Sequence, residues 1–223
     1  MIPQATRLLE IALSHCTFSY PLFQYYYEKI VRDEIRIGSI KQQDRVLCIG
    51  GGAFPATAIE IHRQTGAKVD VLDCDQEAVQ HASDLLQRMG VQEDINVYFG
   101  CGQSFDPKNY QVIHIALQVK NREEILAHLQ KNTYPGTKIL ARFPRAWMEK
   151  FYDRSCGKYS NEMLSRNKKL LLNPQKTIKG TCMMVCGGKD YESDSKGNSD
   201  NSWKSVSVAT YMADGYSLCD RRI

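Results

Sequence analysis

Three adjacent glycines and a later aspartate carry the chemistry most open to reading in this chain. Gly50, Gly51 and Gly52 follow directly on the apolar run Val46-Leu47-Cys48-Ile49, and Ala53-Phe54-Pro55-Ala56-Thr57-Ala58 leads on into an apolar, helix-forming segment. A strand, a glycine turn and a helix is how open α/β sheets make a nucleotide site. The turn lies at the carboxyl edge of the strand, and glycine lets a ligand approach the backbone without a Cβ in the way. The dinucleotide fingerprint requires another glycine three residues after Gly52. Pro55 stands there instead and removes an amide donor that a phosphate would use. No Gly-Lys-Ser/Thr follows, which argues against a triphosphate loop. A ligand with an adenosine but no phosphate fits best, of which S-adenosylmethionine is the common one; a turn that merely reverses the chain is the competing reading.

The second strand agrees. Lys68-Val69-Asp70-Val71-Leu72 ends at Asp73-Cys74-Asp75, placing Asp73 about twenty residues beyond the glycines, where a carboxylate takes both hydroxyls of a ribose. Asp75 is the better-placed N-cap for the amphipathic segment Gln76–Met89, which leaves Asp73 free for a ligand. After the third strand, Ile95–Phe99, the turn Gly100-Cys101-Gly102-Gln103 sits where such sheets line an adenine. Cys101 accepts a hydrogen bond poorly, so Gln103 or backbone amides are expected to read the base.

The elements that position these residues follow from periodicity. Residues 1–43 read as a helical arm: Phe23, Tyr26/Tyr27, Ile30/Val31 and Ile35 recur at three- and four-residue spacing, and Gly38 is a helix stop. Tyr20, Tyr25 and Tyr27 cannot all face inward with Phe23, so at least one is expected over the site. Residues 44–223 read as the ligand-binding α/β domain. Its fourth strand is Tyr110–Leu117, with His114 among apolar neighbours as a core histidine, then a helix Asn121–Lys131 and a fifth strand Lys138–Arg142. Arg142 and Arg145 at the end of that strand could bind a substrate carboxylate, or be solvated surface. Ala146–Asp153 reads as a helix and Arg154–Gln175 is hard to assign. Thr177–Cys186 and Trp203–Met212 look like a terminal strand pair around a polar loop, Gly187–Asn201.

Composition sets outer bounds. A net charge of +4 with scattered basic residues gives no nucleic-acid footprint, and no apolar run approaches membrane-spanning length. With no signal-peptide pattern at the start, a cytoplasmic location is the default expectation. Eight cysteines show no pairing or zinc spacing. They read as buried apolar residues, with Cys48, Cys74 and Cys101 at successive strand ends, and no metal is expected.

Taken together, Val46-Leu47-Cys48-Ile49-Gly50-Gly51-Gly52, Leu72-Asp73-Cys74-Asp75-Gln76-Glu77-Ala78-Val79 and Tyr110-Gln111-Val112-Ile113 resemble the class I S-adenosylmethionine-dependent methyltransferases. The resemblance implies a Rossmann-like α/β fold, a mostly parallel seven-stranded sheet with an antiparallel terminal hairpin. Members usually carry an acidic residue two places before the first glycine, where Cys48 stands here. A narrower resemblance, to nicotianamine synthases and related opine-metallophore synthases, rests on the apolar lead-in, Gly50-Gly51-Gly52-Ala53-Phe54-Pro55-Ala56-Thr57, the aromatic arm from Tyr20-Pro21 to Tyr27-Glu28, and Glu123–Leu129 through Pro135-Gly136 and Arg142. These likenesses imply S-adenosylmethionine as cofactor. Gly50, Gly51, Gly52 and Phe54 would hold its methionyl end, Asp73 the ribose, and Cys74, Gly102 and Gln103 the adenine, with Leu117 beside them. Tyr27 and Glu28 are the candidate weak base, and Tyr20 and Arg142 candidates for acceptor binding. The expected reaction is methyl transfer to a small molecule. The alternatives are aminocarboxypropyl transfer releasing methylthioadenosine, and a nucleoside-binding module without turnover. Leu117-Gln118-Val119 replaces the Asn/Asp-Pro-Pro-Tyr sequence of nucleobase-amine transfer.

Overall fold

Four-to-six-residue apolar runs punctuated by glycine and Asp/Asn turns cannot form stable helices, and in the computed structural model they pair as parallel strands. The structure describes residues 20–144, 170–172 and 178–186. Helix α1 (Tyr20–Gly38) is followed by β1 (Arg45–Ile49), α2 (Ala56–Thr65), β2 (Lys68–Asp73), α3 (Gln76–Met89), β3 (Ile95–Phe99), β4 (Val112–Ile115), α4 (Arg122–Asn132), β5 (Lys138–Pro144), β6 (Leu170–Leu172) and β7 (Ile178–Val185). The sheet order is β3-β2-β1-β4-β5-β7-β6. The first five strands in sequence are parallel, and β7 runs antiparallel to both β5 and β6. The order reverses between β1 and β4, the switch point at whose carboxyl edge open α/β sheets bind ligands.

Alternation along the strands divides the core into two layers. Val46, Cys48, Val69, Val71, Val112 and Leu140 face α1, α2 and α3, while Leu47, Ile49, Leu72, Ile113, Ile115 and Ile139 pack with Ile125, Leu126 and Leu129 of α4. Both faces are thus covered, which is why these strands read as continuous rather than alternating hydrophobic runs. Each fully buried Ile or Leu here contributes about 1.5–3 kcal/mol. The amphipathic segment Gln76–Met89 is α3, capped by Asp75, whose side chain accepts from the amides of Glu77 and Ala78. Helix α1 joins the core through Ile30 and Val31.

The antiparallel pair differs from the expected one. Strand β7 lies within the expected Thr177–Cys186, but its described partners are β5 and Leu170–Leu172, part of the stretch left unassigned by sequence. Three consecutive leucines in a polar stretch suffice for a short edge strand. The expected strand Trp203–Met212, loop Gly187–Asn201 and helix Ala146–Asp153 lie outside the described residues. Among the described residues no helix is long and apolar enough to cross a membrane.

Candidate functional site

The glycine turn is held from two sides. Gly50 has φ +83° and Gly52 φ +65°, in the left-handed region that favours glycine. A Cβ on Gly50 would stand 2.3 Å from Val119 Cγ2, and one on Gly51 2.2 Å from Val71 Cγ1. The turn is therefore pressed onto β2 and the segment that follows β4 by the protein's own packing. The Gly50 amide donates to the Leu72 carbonyl (2.8 Å), and the Gly52 amide donates to Asp73 Oδ2 (2.7 Å). The other oxygen, Asp73 Oδ1, accepts from the Asp75 amide (3.0 Å). A carboxylate accepts about four hydrogen bonds, so two acceptor positions remain on a side chain already fixed in orientation. That is what a ribose diol requires, and in this respect the residues fit an adenosyl group. Phe54 is buried behind the turn, and Pro55 precedes α2 without a side-chain cap.

Around the base position, Gly102 is buried against Ile49 and Ile125, while Cys74 and Cys101 are exposed. Gln103 Nε2 donates to Glu124 Oε2 of α4, and the Cys101 thiol donates to Gln103 Oε1 at 3.1 Å. Leu117 is half-buried, and its carbonyl accepts from Arg122 Nη1 at 3.2 Å. Partial desolvation of the otherwise exposed Cys74 thiol, reinforced by the charge of Asp73, raises its pKa.

Arg142, expected from sequence as a candidate for acceptor binding or as solvated surface, is buried and engaged by the protein's own side chains. Its Nε and Nη2 donate to Glu34 Oε1 and Oε2 of α1, both at 2.7 Å, and its Nη1 donates to Thr57 Oγ1 of α2 at 2.9 Å. Thr181 Oγ1 of β7 donates to Glu34 Oε1 at 2.6 Å, and His114 Nε2 of β4 stands 3.4 Å from Glu34 Oε2. Burial alone would raise the Glu34 pKa, but Arg142 and then His114 outweigh it and hold the carboxyl well below its ordinary range. Sequence analysis missed Glu34. Its signal was a carboxylate one helical turn beyond Ile30 and Val31, on the apolar stripe of α1.

Glu28 also departs from its expected place. It pairs with Arg32 on its own helix and with Arg63 (3.6 Å) near the end of α2, while its backbone carbonyl accepts from Gln64. At 1.5 Å per residue, Arg63 lies about 10 Å along α2 from its first residue, Ala56, so Glu28 is paired toward the far end of that helix from the glycine turn. Tyr27 is half-buried with its ring under the Arg142 guanidinium, 5.5 Å from the centroid. Tyr25 is exposed. The side chain of Tyr20 lies outside what the structure describes, as does Arg145.

The same cluster makes stability depend on pH. His114 is fully buried, and burial lowers its pKa against the opposing pull of Glu34. The unfolded chain takes up a proton near pH 6.5 while the folded chain does so only at lower pH. Stability is therefore expected to fall as pH drops from 7.5 to 5.5, by at most about 1.4 kcal/mol per unit from this group. Glu34 adds to the fall below its ordinary value of 4.5. Urea midpoints measured across that range check this, and His114→Gln should flatten the profile between pH 7 and 5.5. A parallel profile in the variant would remove His114 as the cause.

No protein-family model matches the chain. L-histidine 2-aminobutanoyltransferase from Yersinia pestis is 26% identical over 117 residues, covering 52% of this chain and 44% of that protein. The chain thus spans less than half the length of this curated relative. Among solved structures, a variant of the nicotianamine synthase MtNAS in complex with S-adenosylmethionine matches with TM-score 0.65 and 16% identity, over 80% of this chain and 70% of that one. An RNA methyltransferase from Salinibacter ruber in complex with S-adenosyl-L-homocysteine matches with TM-score 0.56 and 15% identity, over 75% and 97%. At these identities the likeness establishes the fold, a Rossmann-like sheet of the methyltransferase type.

Proposed function

We propose that this chain is an S-adenosylmethionine-dependent transferase that moves the aminobutanoyl chain of the cofactor onto a small-molecule amine. The observation that carries the reading is Asp73, pinned by two backbone amides beside the glycine turn with acceptor positions to spare. The similarity to L-histidine 2-aminobutanoyltransferase supports the choice of group, and the likeness to MtNAS in complex with S-adenosylmethionine supports the cofactor. Bound there, S-adenosylmethionine supplies a sulfonium with activated carbon substituents, so that amine attack leaves methylthioadenosine if it takes the aminobutanoyl chain and S-adenosylhomocysteine if it takes the methyl group.

The chain's own residues have positional work to do. Asp73 takes the ribose, Gly102 and Gln103 line the adenine with Leu117 beside them, and Gly50, Gly51, Gly52 and Phe54 hold the methionyl end. Cys48 matters by what it is not. Burial pushes its thiol up to about 12, so β1 offers no charge at the place where methyltransferases usually carry an acid. A methionyl chain without that anchor is free to seat differently, which favours attack on the chain over attack on the methyl group. Tyr27, half-buried under the Arg142 guanidinium, is the candidate among the arm's described side chains to face the acceptor.

Methyl transfer, the expectation from sequence, is the second reading, favoured by the fold shared with the RNA methyltransferase. Incubating the protein with S-adenosylmethionine and a panel of amines that includes L-histidine, then analysing the nucleosides by mass spectrometry, separates the readings. Methylthioadenosine above the no-enzyme background is expected. S-adenosylhomocysteine in its place would move the assignment to methyl transfer, and tight cofactor binding with neither product would indicate a binding module.

A further inference from the structure

The rim of the turn after β3 holds an arrangement that does more than line a base. Gln103 lies between two partners with opposite requirements. A carboxylate can only accept, so Glu124, in the first turn of α4, fixes the NH2 end of the Gln103 amide toward itself. The carbonyl end is thereby turned the other way, toward Cys101, whose thiol is a weak donor at 3.1 Å and leaves Oε1 with acceptor capacity. Without Glu124 the two ends of an amide are nearly interchangeable and either could face a ligand. Gln103 is half-buried, and Cys101 and Glu124 are exposed, so this group of side chains lies at the solvent rim of the turn. The geometry is also rigid. A Cβ on Gly102 would stand 3.0 Å from Ile49 Cγ2 and 3.2 Å from Ile125 Cδ1, so the turn is packed against the residue next to Glu124.

We propose that Glu124 is a positioning residue that sets the Gln103 amide as an acceptor for the exocyclic amino group of adenine, making the site selective for 6-aminopurines over 6-oxopurines. The inference rests on the adenosyl-binding reading above and names how the base is told apart. A 6-oxopurine presents an acceptor where adenine presents a donor, so two carbonyls face each other and neither is paired. A site built to hydrogen-bond one group rejects the analogue that lacks it more strongly than it gains from the pair itself.

Calorimetric titration with S-adenosylhomocysteine and S-inosylhomocysteine tests this in the full chain. The parent protein is expected to prefer the adenosyl compound by about tenfold or more. Glu124→Gln frees the Gln103 amide to turn over and present its NH2 group. It should narrow the preference to about threefold or less, chiefly by improving binding of the inosyl compound. Gln103→Leu should remove the preference by weakening the adenosyl compound. A structural role for Glu124 would weaken both ligands alike, and an unchanged preference ratio in Glu124→Gln overturns the proposal. If the parent binds S-adenosylhomocysteine without discriminating, this inference fails while the adenosyl reading stands. If the parent binds neither nucleoside, the adenosyl reading itself fails and this inference with it.

Discussion

Replacing Asp73 with alanine is expected to weaken S-adenosylhomocysteine binding by about a hundredfold or more. Two hydrogen bonds from ribose hydroxyls to an ionised carboxylate are lost, each worth about 1.5–3 kcal/mol. The Gly52 amide, which donates to Asp73 Oδ2 at 2.7 Å, is freed at the same time, so the turn also loses its tether. Asp73→Asn separates the two contributions. Its carbonyl can keep the Gly52 amide, but its NH2 group can accept neither from a hydroxyl nor from the Asp75 amide, so a loss of about tenfold is expected with the Gly52 tether kept. Thermal melts of both variants without ligand should fall below the parent, because Asp73 also accepts from the Gly52 and Asp75 amides, while the Asp75 side-chain cap on α3 is kept. Calorimetry showing undiminished binding in Asp73→Ala would remove the ribose assignment.

Breaking the buried ion pair is expected to have the largest effect on folding. Arg142→Met leaves Glu34 buried with Thr181 and His114, and removes the bond to Thr57 at the start of α2. Stranding one charge of such a pair costs about 3–5 kcal/mol, a large fraction of the 5–15 kcal/mol that holds a typical domain folded. The double substitution Glu34→Leu/Arg142→Met should be less destabilising than either single change, because no buried charge is left alone. Urea denaturation of the three variants measures this. A double variant as unstable as the sum of the singles would show that the pair contributes independent contacts rather than mutual compensation.

Much of the architecture was readable because buried parallel strands leave a strong mark. Val46–Ile49 and Lys68–Leu72 are short, apolar and bounded by turns, and the division of labour between Asp73 and Asp75 follows from which one directly precedes an amphipathic run. His114 was legible as a core residue from its apolar neighbours. The reading failed where a residue's role is set by a partner far along the chain. Arg142 ends a strand at the ligand edge, which suggests a free cation. Only the fold brings Glu34 beneath it. Glu28 was read for its place beside the aromatic arm, but helix packing points it at Arg63. Leu170–Leu172 carries too few residues for a period, so its pairing with β7 had no sequence signature. Glu124 was visible only as part of a helix, because its contact with Gln103 joins a loop and a helix 21 residues apart.

The separation that hid Glu34 also orders events at the ribosome. Glu34 must wait 108 residues for Arg142 and 147 for Thr181. At roughly 5–20 residues per second, the second wait is roughly 7–30 s of elongation. Until Arg142 emerges, docking α1 would bury an uncompensated carboxylate, so the arm is expected to dock on α2 and β5 only after that point. Thr57, at the head of α2, gains its bond to Arg142 at that same late moment. The head of α2, next to the nucleoside turn, is synthesised early and gains this tie late.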